Sequence, residues 1–256
     1  MSQKISLNRL WQSAPQAEQF FQPADLLHLP DNVVRRYLKH AIASQEMAIA
    51  PKTTLATAVR LKMHGEIKLK GWRWFRAEQV ICYRRGMIWQ ATVRMNGLPI
   101  IGWDRLVEGQ GAMQWKLLGL LPVMQAQGSD ITRSAIGRMQ GEYVWLPSAL
   151  LDTAVQWQAL DDTHACAELT LLGETTPLHL SIGETGQLQQ GCFKRWGDPE
   201  GKGFRYENFG VIVEKEGTFS GYTIPTELRA GWYFGSDRFE SEGEFFRATI
   251  DEAVYQ

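Results

Sequence analysis

ATAVRLKMHGEIKLK, residues 56–70, alternates apolar and polar side chains along most of its length. Val59, Leu61, Met63, Ile67 and Leu69 share one face, and Arg60, Lys62, His64, Glu66, Lys68 and Lys70 share the other. A period of 2 is the signature of a strand, because successive Cβ atoms point to opposite faces. So long a strand with one wet face predicts a strongly curved antiparallel sheet. Gly65, at its middle, is the natural position for a bulge or bend.

Downstream, hairpin follows hairpin. Residues 80–83 run through Arg84-Arg85-Gly86 into 87–95, where Met87, Trp89, Ala91, Val93 and Met95 share a face. Asn96-Gly97 is a strong hairpin turn signal. Strands 100–107 and 112–118 follow, separated by Gly109 and Gly111. Their second faces are less polar than that of 56–70, so part of this sheet is expected to be covered on both sides. Further strands are read at 155–160, 165–172, 178–182, 188–195, 204–215, 218–224, 228–234 and 245–255.

Two stretches break the strand period. Val34, Tyr37, Leu38, Ala41 and Ile42 recur at helical spacing, with Pro30 and Asp31 suited to the helix start and Pro51 closing the segment. Arg35, Arg36, Lys39 and His40 then make a solvated basic face. The other stretch, SDITRSAIGRMQGEYVWLPSALL at 129–151, predicts a helix capped by Ser129 or Asp130 and ended or kinked near Leu146 by Pro147. Gly137 and Gly141 inside it, one turn apart, predict close approach by a neighbour.

No linker-like tract divides the chain, so one domain is expected over 1–256. Its parts are a helical N-terminal segment (1–50), a first strand series (55–128), the inserted helix (129–151) and a second strand series (152–256). The fold class is mainly β (α+β): a strongly curved antiparallel sheet or open β-barrel, with N-terminal helices and the central helix as plug or lid.

Charge narrows the partners. With 27 basic against 28 acidic residues, net −1, there is no electrostatic footprint for nucleic acid or an anionic surface. Three cysteines without repeated spacing argue against a disulfide framework and for a reducing compartment. The first residues lack the apolar core of a signal peptide, and the run 117–124, broken by Gly119 and Pro122, is too short for a transmembrane segment. The expectation is a cytoplasmic protein. Ten Trp beside 11 Phe and 7 Tyr suit a large core or an aromatic-lined cavity.

Four blocks carry a resemblance. LPDNVVRRYLKHAI (29–42), WRWFRAEQV followed by GMIWQA, GWDRLVEGQG, and RMQGEYVWLPSAL together resemble a bacterial family of unknown function with many cyanobacterial members. The likeness spans 29–235. Many members of that family begin with membrane segments, which this chain does not show. The resemblance implies no reaction. The strand order is also similar to that of the lipoprotein carrier and sorting proteins, whose unclosed antiparallel barrel wraps an apolar cavity plugged by helices.

Candidate site residues follow from these blocks. Arg138 and Glu142, one helical turn apart and close to Trp145, form either a brace between helix and sheet or a polar cluster facing a cavity. Trp103 and Asp104, with Arg105 and Glu108, precede a Gly-x-Gly turn that opens a strand, which is not a dinucleotide fingerprint. Arg195 supplies a charge near a cavity mouth rimmed by Trp196 and Trp232. Asp161, Asp162, His164 and Cys166 read as a turn, not a metal site. The five histidines make no zinc-binding motif, and Ser220 lacks the first glycine of a nucleophile elbow. No cofactor or metal is expected, and no catalytic residue is assigned.

Three functions fit. The first is a non-catalytic binding or carrier protein for a hydrophobic, lipid-like small molecule, with Arg138, Glu142 and Arg195 as anchors. The second is an isomerase or hydrolase of an apolar substrate using Glu142 or Asp104 as acid and base. The third is an assembly factor meeting a protein partner through an apolar patch near the N-terminal helices.

Overall fold

The computed structural model describes residues 5–30, 33–43 and 53–256. Thirteen antiparallel strands form one sheet: β1 (Ala58–Lys68), β2 (Trp72–Cys82), β3 (Gly86–Met95), β4 (Leu98–Val107), β5 (Gln110–Leu117), β6 (Leu121–Gln127), β7 (Gln156–Ala159), β8 (His164–Leu171), β9 (Glu174–Ile182), β10 (Leu188–Gly197), β11 (Arg205–Phe219), β12 (Tyr222–Trp232) and β13 (Glu244–Tyr255). Their order is β6-β5-β4-β3-β2-β1-β13-β12-β11-β10-β9-β8-β7. Each half is a meander, and the β1–β13 pairing joins the halves. The edges β6 and β7 do not pair, so the sheet stays unclosed.

The connection between those two edges is the central helix, α3 (Ser129–Gly141), with two 3₁₀ turns, Glu142–Trp145 and Pro147–Leu151. It proves the curvature. α3 packs on both β5 and β10, which stand eight strand intervals apart. On a flat sheet they would be about 38 Å apart at ~4.8 Å per interval. A helix is only about 10–12 Å across. The sheet therefore curls around α3, as the strand patterning predicts.

The inner face carries Met87, Trp89, Ala91 and Val93, all buried in the main core with Leu61 and Met63. Helix α2 (Val33–Ala43) buries Val34, Tyr37, Leu38, Ala41 and Ile42 in the same core, as their spacing requires. Its basic face is not simply solvated. Arg36 donates to the carbonyls of Gly183 and Asp162, and His40 Nε2 lies 2.7 Å from a Glu216 carboxylate oxygen. Asp31 and Pro51, expected to bound this helix, lie outside the described residues. On the outer face, α1 (Leu7–Gln12) buries Leu7 and Leu10 against Val80, Cys82, Ile88 and Val107, so the first strand series is covered on both sides.

Several local readings need correction. Among the described residues before α2, only α1 and a 3₁₀ turn (Pro23–Leu26) are helical, since three prolines interrupt the segment. Gly65 pairs in register with Phe75 and Ala248, and the bulge falls on the partner strand at Asp251. The N-cap of α3 is Gly128, without a side-chain cap, and α3 ends at Gly141, before Pro147. Edge strand β6 was not anticipated. Leu121, Val123 and Met124 in it are exposed, with Leu118 and Leu120 in the preceding turn. Pro122 and a bulge opposite Trp115/Lys116 blunt this edge. Near the N-terminal helices, where an apolar patch was expected, Phe20 and Leu27 are the large exposed apolar residues among those described. Asn96 and Gly97 take positive φ of 51° and 82°, as a type I′ turn demands.

Candidate functional site

Between α3 with its following 3₁₀ turn and the inner faces of β10–β13 lies a partly open cavity of about 190 Å³. Its lining is mainly apolar: Phe193, Phe209, Val211, Leu228, Ala230 and Phe246 come from the sheet, and Val144 and Trp145 from the turn. Strand parity explains the selection. Gly191, Phe193 and Arg195 alternate inward on β10, and Phe209 and Val211 do so on β11.

One wall is charged. Arg138 of α3 donates from Nε to Glu142 Oε1 at 2.7 Å and from Nη1 to Asp104 Oδ2 at 3.1 Å. Glu142 Oε2 accepts from Gln79 Nε2 at 2.6 Å, and Asp104 Oδ1 accepts from Trp115 Nε1 at 3.1 Å. All four carboxylate oxygens are thus engaged. The Arg138 guanidinium also lies over the Trp89 ring at 5.3 Å. Burial opposes the Arg138 charge, but Glu142 and Asp104 outweigh it and raise its pKa above the ordinary arginine value.

Arg195 is the contrasting group. Among the described residues it makes no hydrogen bond and no ion pair, and its Nε is sealed from solvent without a partner. Its guanidinium lies 4.8 Å from the Phe209 ring and 5.3 Å from the Trp232 ring. Burial, aided by repulsion from Arg138, pulls its pKa down to about 10, against a smaller opposing pull from Glu142 and Asp104. Trp89 Nε1 is a second buried donor on the lining with no partner.

Of the six residues singled out in the sequence, Asp104, Arg138, Glu142, Trp145 and Arg195 meet at this cavity. Trp103 does not. It neighbours Asp104 on β4, so when Asp104 points inward Trp103 points outward, where Arg105 lies over its ring at 4.7 Å. Trp196 does not line the cavity either. Its indole donates to Asp130 Oδ1 at 2.9 Å, and Arg133 lies over its ring. Trp145 donates to the Pro225 carbonyl at 3.1 Å, which fixes the turn after α3 to the sheet. Gln79, Trp89, Phe193 and Phe209 were missed. Gln79 carried a signal, a polar residue at an inward position between Ala77 and Ile81.

Asp104 is more than part of a hairpin end, because Gly111 of the adjacent Gly-x-Gly turn lets α3 dock. A Cβ at Gly111 would lie 2.5 Å from Thr132 Cα, and the Gly111 N–H donates to Thr132 Oγ1 at 2.9 Å. The 161–166 cluster is a turn at 161–163 followed by the start of β8. Asp161 Oδ1 accepts from the Thr163 and His164 N–H groups, and these bonds, with His164, lower its pKa to about 2. No group of three or more metal-ligating side chains occurs among the described residues.

Gly141 sets the width of the cavity beside α3. A Cβ there would lie 2.6 Å from Phe193 Cε1. Gly141→Ala is expected to lower the unfolding midpoint by a few degrees, because overpacking of about 1–3 kcal/mol exceeds the ~1 kcal/mol helix-propensity gain. Adding Phe193→Leu should restore the midpoint in thermal denaturation. A stabilised Gly141→Ala single variant would show that the contact is loose.

A family described as "Family of unknown function (DUF6920)" matches residues 27–255. The chain belongs to this family. The match bears out the resemblance carried by the four sequence blocks. No curated protein matches the sequence. Among solved structures, the chain is similar to a LolA superfamily protein from Nitrosomonas europaea, NE2245, with 11% identity, TM-score 0.42, 95% of this chain covered and 94% of that one. It is also similar to a putative outer membrane lipoprotein-sorting protein domain from Vibrio parahaemolyticus, with 8% identity, TM-score 0.41, and 78% and 85% covered. Among the described residues no helix is long and apolar enough to cross a membrane.

Proposed function

We propose that the protein binds a hydrophobic, lipid-like small molecule without transforming it, holding the chain in the cavity beside α3. The observation that carries this reading is an apolar cavity of about 190 Å³ whose charged wall is confined to one region. Close-packed interiors rarely leave such space. Apolar walls with a few polar groups suit an amphipathic guest. Trp145 forms part of the wall, and Arg138, Glu142 and Arg195 are the polar anchors. The three thiols, all free, fit a cytoplasmic, reducing setting, which is part of the same proposal.

The enzymatic alternative draws less support. Asp104 and Glu142, the carboxylates that would act as base, are each held at both oxygens by Arg138, Gln79 and Trp115, an arrangement that suits a brace between helix and sheet.

Displacement of a fluorescent apolar probe by long-chain alcohols tests the proposal. Saturable one-to-one displacement is expected. Val211→Trp, which places an indole in the cavity, should weaken it by about tenfold or more (~1.4 kcal/mol) while the protein stays folded. Absence of displacement, or displacement indifferent to this variant, would refute the proposal.

A further inference from the structure

Two buried donors on the cavity lining lack acceptors, and one of them is a cation. Arg195 lies on the lining with its Nε buried and its guanidinium over the Phe209 and Trp232 rings, and among the described residues no carboxylate bonds it. Trp89 Nε1 is unpaired on the same lining. Buried polar groups are almost always hydrogen-bonded, so each such orphan asks for a partner. The nearby carboxylates of Asp104 and Glu142 are engaged by Arg138, Gln79 and Trp115, and neither is hydrogen-bonded to Arg195 or Trp89. The groups facing Arg195 are thus a cation, Arg138, already matched by two carboxylates, and aromatic rings. What the cavity lacks is an acceptor.

We propose that the ligand is an anionic amphiphile, an apolar chain ending in a carboxylate or phosphate group, and that Arg195 is its headgroup-binding residue. This rests on the binding reading above. An oxyanion fits the guanidinium fork by two parallel N–H···O bonds, and its charge offsets that of Arg195 in a medium where both are poorly solvated. The Phe209 and Trp232 rings offer the guanidinium cation–π contact but no hydrogen-bond acceptor, so its N–H groups are available to a ligand. The Trp89 indole N–H is a further donor to the same class of acceptor. A neutral alcohol offers no charge to match, and a cationic amphiphile would be repelled by Arg195.

A matched series decides the matter: dodecanoate, dodecyl phosphate, dodecanol and dodecyltrimethylammonium, each below its micelle concentration, read by calorimetry or tryptophan fluorescence. At least one of the two anions should bind about tenfold or more tighter than dodecanol, and the ammonium should bind worst. The tighter anion separates a fatty-acid-type head from a phosphomonoester-type head. Arg195→Met should remove the anion's advantage over dodecanol. Arg195→Lys, which keeps the charge without the fork, should retain part of it. Dodecanol binding as tightly as both anions, or an anion preference that survives in Arg195→Met, overturns the headgroup assignment and leaves the apolar-binding reading standing. Failure of all four compounds to bind overturns both.

Discussion

Replacing Arg138 with Met lowers the thermal unfolding midpoint by about 6–20 °C. The side chain is surrounded by Asp104, Glu142 and the Trp89 ring, and its two carboxylate bonds tie α3 to β4 and to the turn that follows the helix. Removing the cation leaves two carboxylates, half-buried and within reach of each other's field, with only Gln79 and Trp115 as donors. Breaking a buried ion pair by deleting one partner costs about 3–5 kcal/mol. For a domain of this size each kcal/mol moves the midpoint by about 2–4 °C. The penalty belongs to the stranded charges, so Arg138→Met combined with Asp104→Asn and Glu142→Gln should recover most of the loss. Calorimetry of the single and triple variants checks this. A single variant as stable as the parent would show the cluster to be a weakly coupled surface network.

The opposite result is expected at Arg195. Arg195→Met raises the midpoint by about 2–8 °C, even though it deletes a charged residue from the candidate site. The guanidinium is protonated at neutral pH in both folded and unfolded chains, but burial makes the folded state hold the proton less tightly, with a pKa lowered to about 10. A folded pKa below the unfolded one means the charge opposes folding. The penalty is full below about pH 10, and it fades as pH climbs from there toward the higher pKa of the unfolded chain. At about 1.4 kcal/mol per pKa unit the gross cost is about 3 kcal/mol, and loss of the stacking on Phe209 and Trp232 returns part of it. A net gain of about 1–2 kcal/mol remains, which is how a binding group held at the expense of stability behaves. A variant less stable than the parent would mean that Arg195 is a structural brace.

The two arginines show how far alternation and spacing reach. Residues 56–70 announced a curved antiparallel sheet, and the face of Met87, Trp89, Ala91 and Val93 was visible because strand parity is local. Arg138 and Glu142 were visible as a pair because a helix turn brings i and i+4 together. Their contact with Asp104 was not, since it depends on α3 crossing from one sheet edge to the other. Parity would also have separated Asp104 from Trp103, since neighbours on a strand cannot share a face. The end of α3 at Gly141 was hidden for a different reason. Pro147 marks only the latest stop, whereas the observed one lies where Phe193 of β10 abuts the helix. Strand β6 escaped because an exposed edge carries no burial pattern to read. The orphaned Arg195 Nε is likewise a property of the assembled cavity, since whether a cation has a partner is settled only by strands that meet late in the chain.

The most direct test of the account is a crystal structure with 12-bromododecanoate. An anomalous bromine peak is expected among the apolar walls of the cavity, with the carboxylate bound at Arg195. A bromine peak elsewhere on the molecule, with the space between α3 and the sheet empty or closed, would contradict it.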